Sequence, residues 1–346
     1  MSPLPYRLER LGVVMEPDPA DAREAWGVLN PAAARDPAGD LYLFPRLVAE
    51  GNYSRIGRAR VRFEHDRPVG VERLGIALEP LEPWEARGVE DPRVTFVRRL
   101  GLYLMAYTGY GPEGPRVAIA ASSDLERWER YGLARFGSGL DAFANKDGAF
   151  FPEPVAGPDG HPAYAFIHRP ANEERPGIWV SFTPADEVER DPRSIVRPGR
   201  HRPVAYPEQP WEELKIGAGP PPLRTPEGWL LVYHGVSGKL VPGTDLQPAL
   251  RYSAGALLLD PDEIWRVTAR TREPLLEPET VEEQMGIVPN VVFPTGLDER
   301  GDGTADVYYG MADSRIGVAR LIRRGDPAAD SEGAQSGRPQ GTSRRS

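Results

Sequence analysis

The chain has 346 residues, 40% of them hydrophobic, with 42 basic against 51 acidic side chains and a formal net charge of −9. That balance excludes a general nucleic-acid binder, which needs a basic excess, and the absence of cysteine excludes disulfides, thiol nucleophiles and cysteine metal sites. With 37 glycines and 38 prolines the chain is interrupted too often for a helical protein, so a turn-rich β architecture is expected.

Five segments in chain order share one pattern, an apolar-aromatic strand, a polar interval and a strand of alternating small apolar residues. They are residues 41–48 with 55–61 (LYLFPRLV, RIGRARV), 102–108 with 116–122 (LYLMAYT, RVAIAAS) and 163–168 with 177–182 (AYAFIH, GIWVSF). Residues 229–234 with 252–259 (WLLVYH, YSAGALLL) and 306–310 with 315–321 (DVYYG, RIGVARL) complete the set. Period-two strands bounded by Gly, Pro, Asp or Asn are hairpin signals, and a repeat every 50 to 80 residues or so suits radially arranged sheets with long loops. A five-bladed all-β propeller over residues 1–324 follows, with a two-layer β-sandwich as the alternative. Helical signal is confined to residues 186–189 and 278–285, and the Gly/Ser/Pro-rich tail 325–346 is expected to be disordered.

The five histidines (His65, His161, His168, His201, His234) show no metal-ligand spacing, so no metal or other cofactor is expected. The first residues lack a basic head followed by an apolar run, and no stretch of about 18 apolar residues occurs. The expectation is a cytoplasmic protein without membrane or nucleic-acid partners, its oligomeric state open.

Polar, glycine-rich segments recur between the strands: Gly51-Asn52-Tyr53-Ser54-Arg55, Glu90-Asp91-Pro92-Arg93, Asn145-Lys146-Asp147-Gly148, His168-Arg169-Pro170, residues 215–222 (KIGAGPPP), His234-Gly235 and Asp313-Ser314-Arg315. Each alone is an ordinary turn, strand end or connector, and His234 alone is equally a buried core histidine. Together, one or two per unit, they suggest a shared polar site where loops converge on a central channel. Asp91 is the sharpest candidate, since Pro92 biases it to an extended conformation beside a guanidinium. Residues 298–303 (DERGDG) imitate part of a calcium loop without its remaining ligands and are read as an exposed turn.

In order and spacing these segments, with Leu29-Asn30-Pro31 and residues 309–313 (YGMAD), resemble glycoside hydrolase family 130, the β-mannoside phosphorylases and related β-mannosidases, from about residue 11 to residue 321. The resemblance implies a five-bladed fold and an inverting phosphorolysis of a β-mannosidic bond giving α-mannose 1-phosphate. It implies Asp91 as proton donor, acting through the mannose 3-hydroxyl. Phosphate, the co-substrate, falls to Lys146, Arg169, Lys215, His234 and Tyr252. The mannoside falls to Asn52, Ser54, Arg55, Asp147 and Asp313, with Arg93 pairing with Asp91 and Tyr107 as a sugar-stacking ring. Phosphate is already an anionic nucleophile, so one carboxyl group suffices. A hydrolase on the same scaffold is the first alternative and a non-catalytic carbohydrate-binding propeller the second; the basic positions weigh against the former and Asp91 against the latter. The loops expected to set acceptor and linkage (110–115, 170–176 and 237–247) contain no residue logic that selects among them.

Overall fold

A computed structural model describes residues 4–137, 139–241 and 247–324; the predicted disordered tail and part of the 237–247 loop lie outside these. The described chain is all-β apart from short helical turns, and its strands form four hydrogen-bonded sheets. The largest, of eight strands, consists of two antiparallel runs joined by one parallel pair, Ser54 with Gly88. The first strand, Tyr6–Met15, pairs with the last, Arg315–Arg323, so both ends of the described chain are locked into one sheet. No helix among the described residues is long and apolar enough to cross a membrane.

All ten predicted strands are present, as are the short helices Ala185–Arg190 and Val281–Gln284. The polar segments expected to be loops are largely strands instead. Gly27–Arg35, Gly88–Val97, Asn145–Phe150, Lys215–Ala218 and Val292–Glu299 are each the first strand of an antiparallel run. Three of them bulge at a polar residue with left-handed backbone: Asn30 (φ 44°), Asp91 (φ 47°) and Asp147 (φ 57°), where the pairing register shifts. Asp and Asn tolerate this region best, and a bulge re-aims the side chain out of the ladder. Residues 298–303 are likewise not wholly an exposed turn, since Asp298 is buried and paired with Arg35.

The apolar residues between sheets form the core, with Trp229, Tyr233, Phe151 and Phe182 in its largest cluster. A polar device recurs at the entries to three of the first strands. Glu85, Glu212 and Glu283 each sit in a short helical turn before a first strand, accepting two backbone N–H groups from that turn's entry. Each also accepts from a tyrosine of the second strand (Tyr107, Tyr233, Tyr309) and an arginine of the fourth (Arg130, Arg270, Arg10). These carboxylates are fully buried and fully paired, tying each turn to its sheet.

Candidate active site

The bulged first strands converge on a cavity of about 350 Å³. Asn30, Asp91 and Asp147 line it from their bulges, joined by Lys146, Arg169, Lys215, His234, Tyr252 and Asp313. Gly217 permits a close approach, because a Cβ there would collide with the Asp147 carboxylate and the His234 ring.

Asp91 Oδ1 accepts hydrogen bonds from Asn30 Nδ2 at 2.8 Å and Arg46 Nη1 at 3.2 Å. Arg46 also donates to Glu90 at 3.0 Å, Ser54 Oγ at 2.8 Å and Asn52 Oδ1 at 3.1 Å. Glu90 reaches the other way to Lys146 Nζ at 3.0 Å. A second cluster centres on Asp147, which accepts from Arg169 Nε at 2.5 Å and faces Arg93 at 3.4 Å. Arg93, buried, also donates to the carbonyls of Asp91, Ala218 and Gly219, bracing two first strands against each other.

Charges remain that these pairs do not absorb. Lys215 has no carboxylate within ion-pair distance among the described residues and lies 5.7 Å from the centre of the Tyr252 ring. Both ring nitrogens of His234 are buried without a hydrogen-bond partner among the described residues, the nearest carboxylate oxygen there being 3.7 Å away on Asp147. Buried orphan polar atoms of this kind call for a ligand. Burial pushes His234 down to about 3, so it is neutral and offers one donor and one acceptor. Burial, aided by Arg169, pushes Lys215 down to about 7.

The carboxyl groups diverge. Burial opposes ionisation of Asp91, but Arg46, Lys146 and Arg93 outweigh it and hold the group below the usual range. Burial also opposes ionisation of Asp147, which Arg169, His234 and Arg93 keep charged. Asp313 is raised to about 6 by burial, with Asp91 and Glu90 adding to the shift against Arg46.

All of the predicted phosphate set (Lys146, Arg169, Lys215, His234 and Tyr252) lines the cavity with Asp91, Asp147 and Asp313. The other predicted residues stand elsewhere. Tyr107 is a core tyrosine bonded to Glu85 at 2.7 Å, not a sugar platform. Asn52 and Ser54 sit behind Arg46 and orient it. Arg55 stacks on the Tyr53 ring and faces Glu79 at 3.5 Å, away from the cavity lining. Arg93 pairs with Asp147 rather than with the Asp91 carboxylate. Asp147 does reach the cavity, but its oxygens are turned to Arg169 and Arg93, so it braces cations.

Sequence reasoning assigned no role to Arg46, Glu90 and Asn30. Arg46 had a signal, a lone charge within the apolar run LYLFPRLV, and Asn30 had one in the Asn-Pro pair that makes its bulge.

Residues 6–324 match the family described as beta-1,4-mannooligosaccharide phosphorylase, glycoside hydrolase family 130. The chain belongs to that family. It is 34% identical over 328 residues, 91% of this chain and 97% of the relative, to a 1,2-beta-oligomannan phosphorylase of Thermoanaerobacter sp.. It is 32% identical over 232 residues to a beta-1,4-mannooligosaccharide phosphorylase of Ruminococcus albus, covering 66% of this chain and 61% of the relative. Among solved structures, a beta-1,2-mannobiose phosphorylase from Listeria innocua superposes with a TM-score of 0.69 at 24% identity, covering 90% of this chain and 96% of that one. The family 130 match spans every strand that contributes to the cavity.

Proposed function

We propose that this chain is an inverting phosphorylase of β-1,2-linked mannosides, built as a five-bladed propeller with Asp91 as its acid. Phosphorolysis of a β-mannosidic bond is its activity. The observation that carries the reading is one cavity in which Lys215 has no carboxylate partner among the described residues and the His234 imidazole is orphaned, with Arg169 and Lys146 beside them and Asp91 held by Asn30 and Arg46. Cations of this kind attract a phosphate dianion; a hydrolase has no use for them. The propeller count rests on the four-strand runs: two in the largest sheet and one path of four in each of the others.

Asp91 protonates the glycosidic oxygen, directly or through a sugar hydroxyl, as phosphate oxygen forms a bond to the anomeric carbon from the opposite face. The C–O bond to the leaving sugar breaks with its electron pair, and the proton stays on that sugar. Among its neighbouring cations Asp91 is ionised, so it must gain a proton before turnover. A phosphate dianion among Lys146, Arg169 and Lys215 supplies negative charge that raises Asp91 toward protonation. Substrate binding therefore arms the acid.

The β-1,2 linkage is favoured because the relative matched over nearly its whole length acts on 1,2-linked oligomannan. The test is incubation of purified protein with β-1,2- and β-1,4-mannobiose in phosphate. Sugar phosphate released chiefly from the β-1,2 isomer is expected; release chiefly from the β-1,4 isomer overturns the linkage, and cleavage indifferent to phosphate overturns phosphorolysis.

A further inference from the structure

Glu90 lies beside the acid, is buried, and is not itself among the residues that line the cavity. Its two oxygens are divided between two cations with different roles. Oε1 faces Arg46 Nη2 at 3.0 Å, and Arg46 holds Asp91 through Nη1. Oε2 faces Lys146 Nζ at 3.0 Å, and the Lys146 side chain remains about a third exposed. The chain Lys146–Glu90–Arg46–Asp91 thus joins the anion-binding side of the cavity to the proton donor through paired charges.

We propose that Glu90 is a positioning residue that keeps Asp91 able to carry its proton, by neutralising Arg46 and Lys146 where they face the acid. The inference rests on the reading of Asp91 as the acid. The charged groups facing Asp91 are Arg46, Lys146 and Arg93 on one side of the balance and Glu90 and Asp313 on the other. Three cations against two carboxylates already favour the ionised acid. Without Glu90 the imbalance grows by one, and Asp91 loses its proton at lower pH. The bulge at Asp91 explains how adjacent residues come to share one guanidinium. It breaks strand alternation, so Glu90 and Asp91 both reach Arg46.

The experiment is the pH dependence of kcat at saturating phosphate and mannoside for three variants. Glu90→Gln removes the charge at nearly constant shape, and the alkaline limb should move to lower pH by about one to two units. Glu90→Asp keeps the charge, so its limb should stay near the wild-type position although the rate falls. Lys146→Gln removes a facing cation and should move the limb the opposite way, which keeps the inference testable if Glu90→Gln does not fold. A limb unmoved in Glu90→Gln, or moved equally in Glu90→Asp, would show a structural role only and overturn it. If Asp91→Asn kept substantial activity on the same substrate, the assignment of the acid would fail instead, so the two failures are distinguishable.

Discussion

The Glu–Tyr–Arg staples and the cavity use the same ingredients, buried carboxylates beside arginines, and differ in what is left unmatched. At Glu212 the carboxylate accepts from Tyr233, Arg270 and two backbone N–H groups, so its staple ties the turn to the second and fourth strands of its sheet. At Asp147 the carboxylate also has arginine partners, yet among the described residues Lys215 has no carboxylate partner and neither His234 nitrogen a hydrogen-bonded one. A closed network holds turns to strands; an open one, with Lys215 unpaired among the described residues, is the kind of site that the proposed function gives to phosphate. Burial and ion pairing alone do not separate structure from function, whereas the charge balance at the cavity surface does.

The largest effect expected is on turnover. Asp91→Asn keeps the shape of the side chain and removes its proton, so activity on an unactivated mannoside should fall on the order of 10⁴-fold. The unfolding temperature should stay close to wild type, as read by circular dichroism. A variant retaining half the wild-type rate removes Asp91 from the mechanism.

The staples should respond in the opposite sense. Glu212→Ala leaves Arg270 and Tyr233 buried without their partner and should cost about 3–5 kcal/mol of stability. Phosphate KM of the protein that remains folded should be unchanged. Denaturant unfolding together with phosphate titration checks both halves, and a change confined to KM would erase the distinction between the two networks.

Lys215→Ala is the mirror image. It strands no buried partner, so stability should hold or rise, while phosphate KM increases roughly 10- to 100-fold through loss of a charged hydrogen bond. Because burial pushes Lys215 down to about 7, it loses its charge as pH rises through neutrality. Wild-type phosphate affinity should therefore weaken above that pH, and Lys215→Ala should flatten the dependence.

The smallest effect tests a misplaced residue. Tyr107→Phe loses one hydrogen bond to Glu85 and should cost about 1 kcal/mol without altering mannoside KM. A several-fold rise in KM would return Tyr107 to the sugar site.

The middle strands were legible because they are almost continuously apolar, both faces being buried in the core, as in LYLMAYT and WLLVYHG. The first strands were not, because Asn30-Pro31, Asp91-Pro92 and Asp147-Gly148 carry turn chemistry that here makes bulges inside strands. The same signal that disguised them as loops pointed to the cavity, so Asp91 and the cations that line it were singled out while their setting was misread. Residues that act through a partner stayed hidden. Nothing in the order of residues shows that Ser54 and Asn52 orient Arg46, or that Tyr107 turns to Glu85. Those contacts link residues on different strands and turns, and only the folded chain brings them together.

In the proposed mechanism phosphate, held at Lys215 and its neighbouring cations, attacks opposite Asp91 as the acid. Proton NMR of the first-formed product from β-1,2-mannobiose, with and without phosphate, tests it most directly. The account predicts α-mannose 1-phosphate in phosphate and almost no cleavage without it. Free mannose appearing at an equal rate in the absence of phosphate, or a β-configured phosphate product, would contradict it.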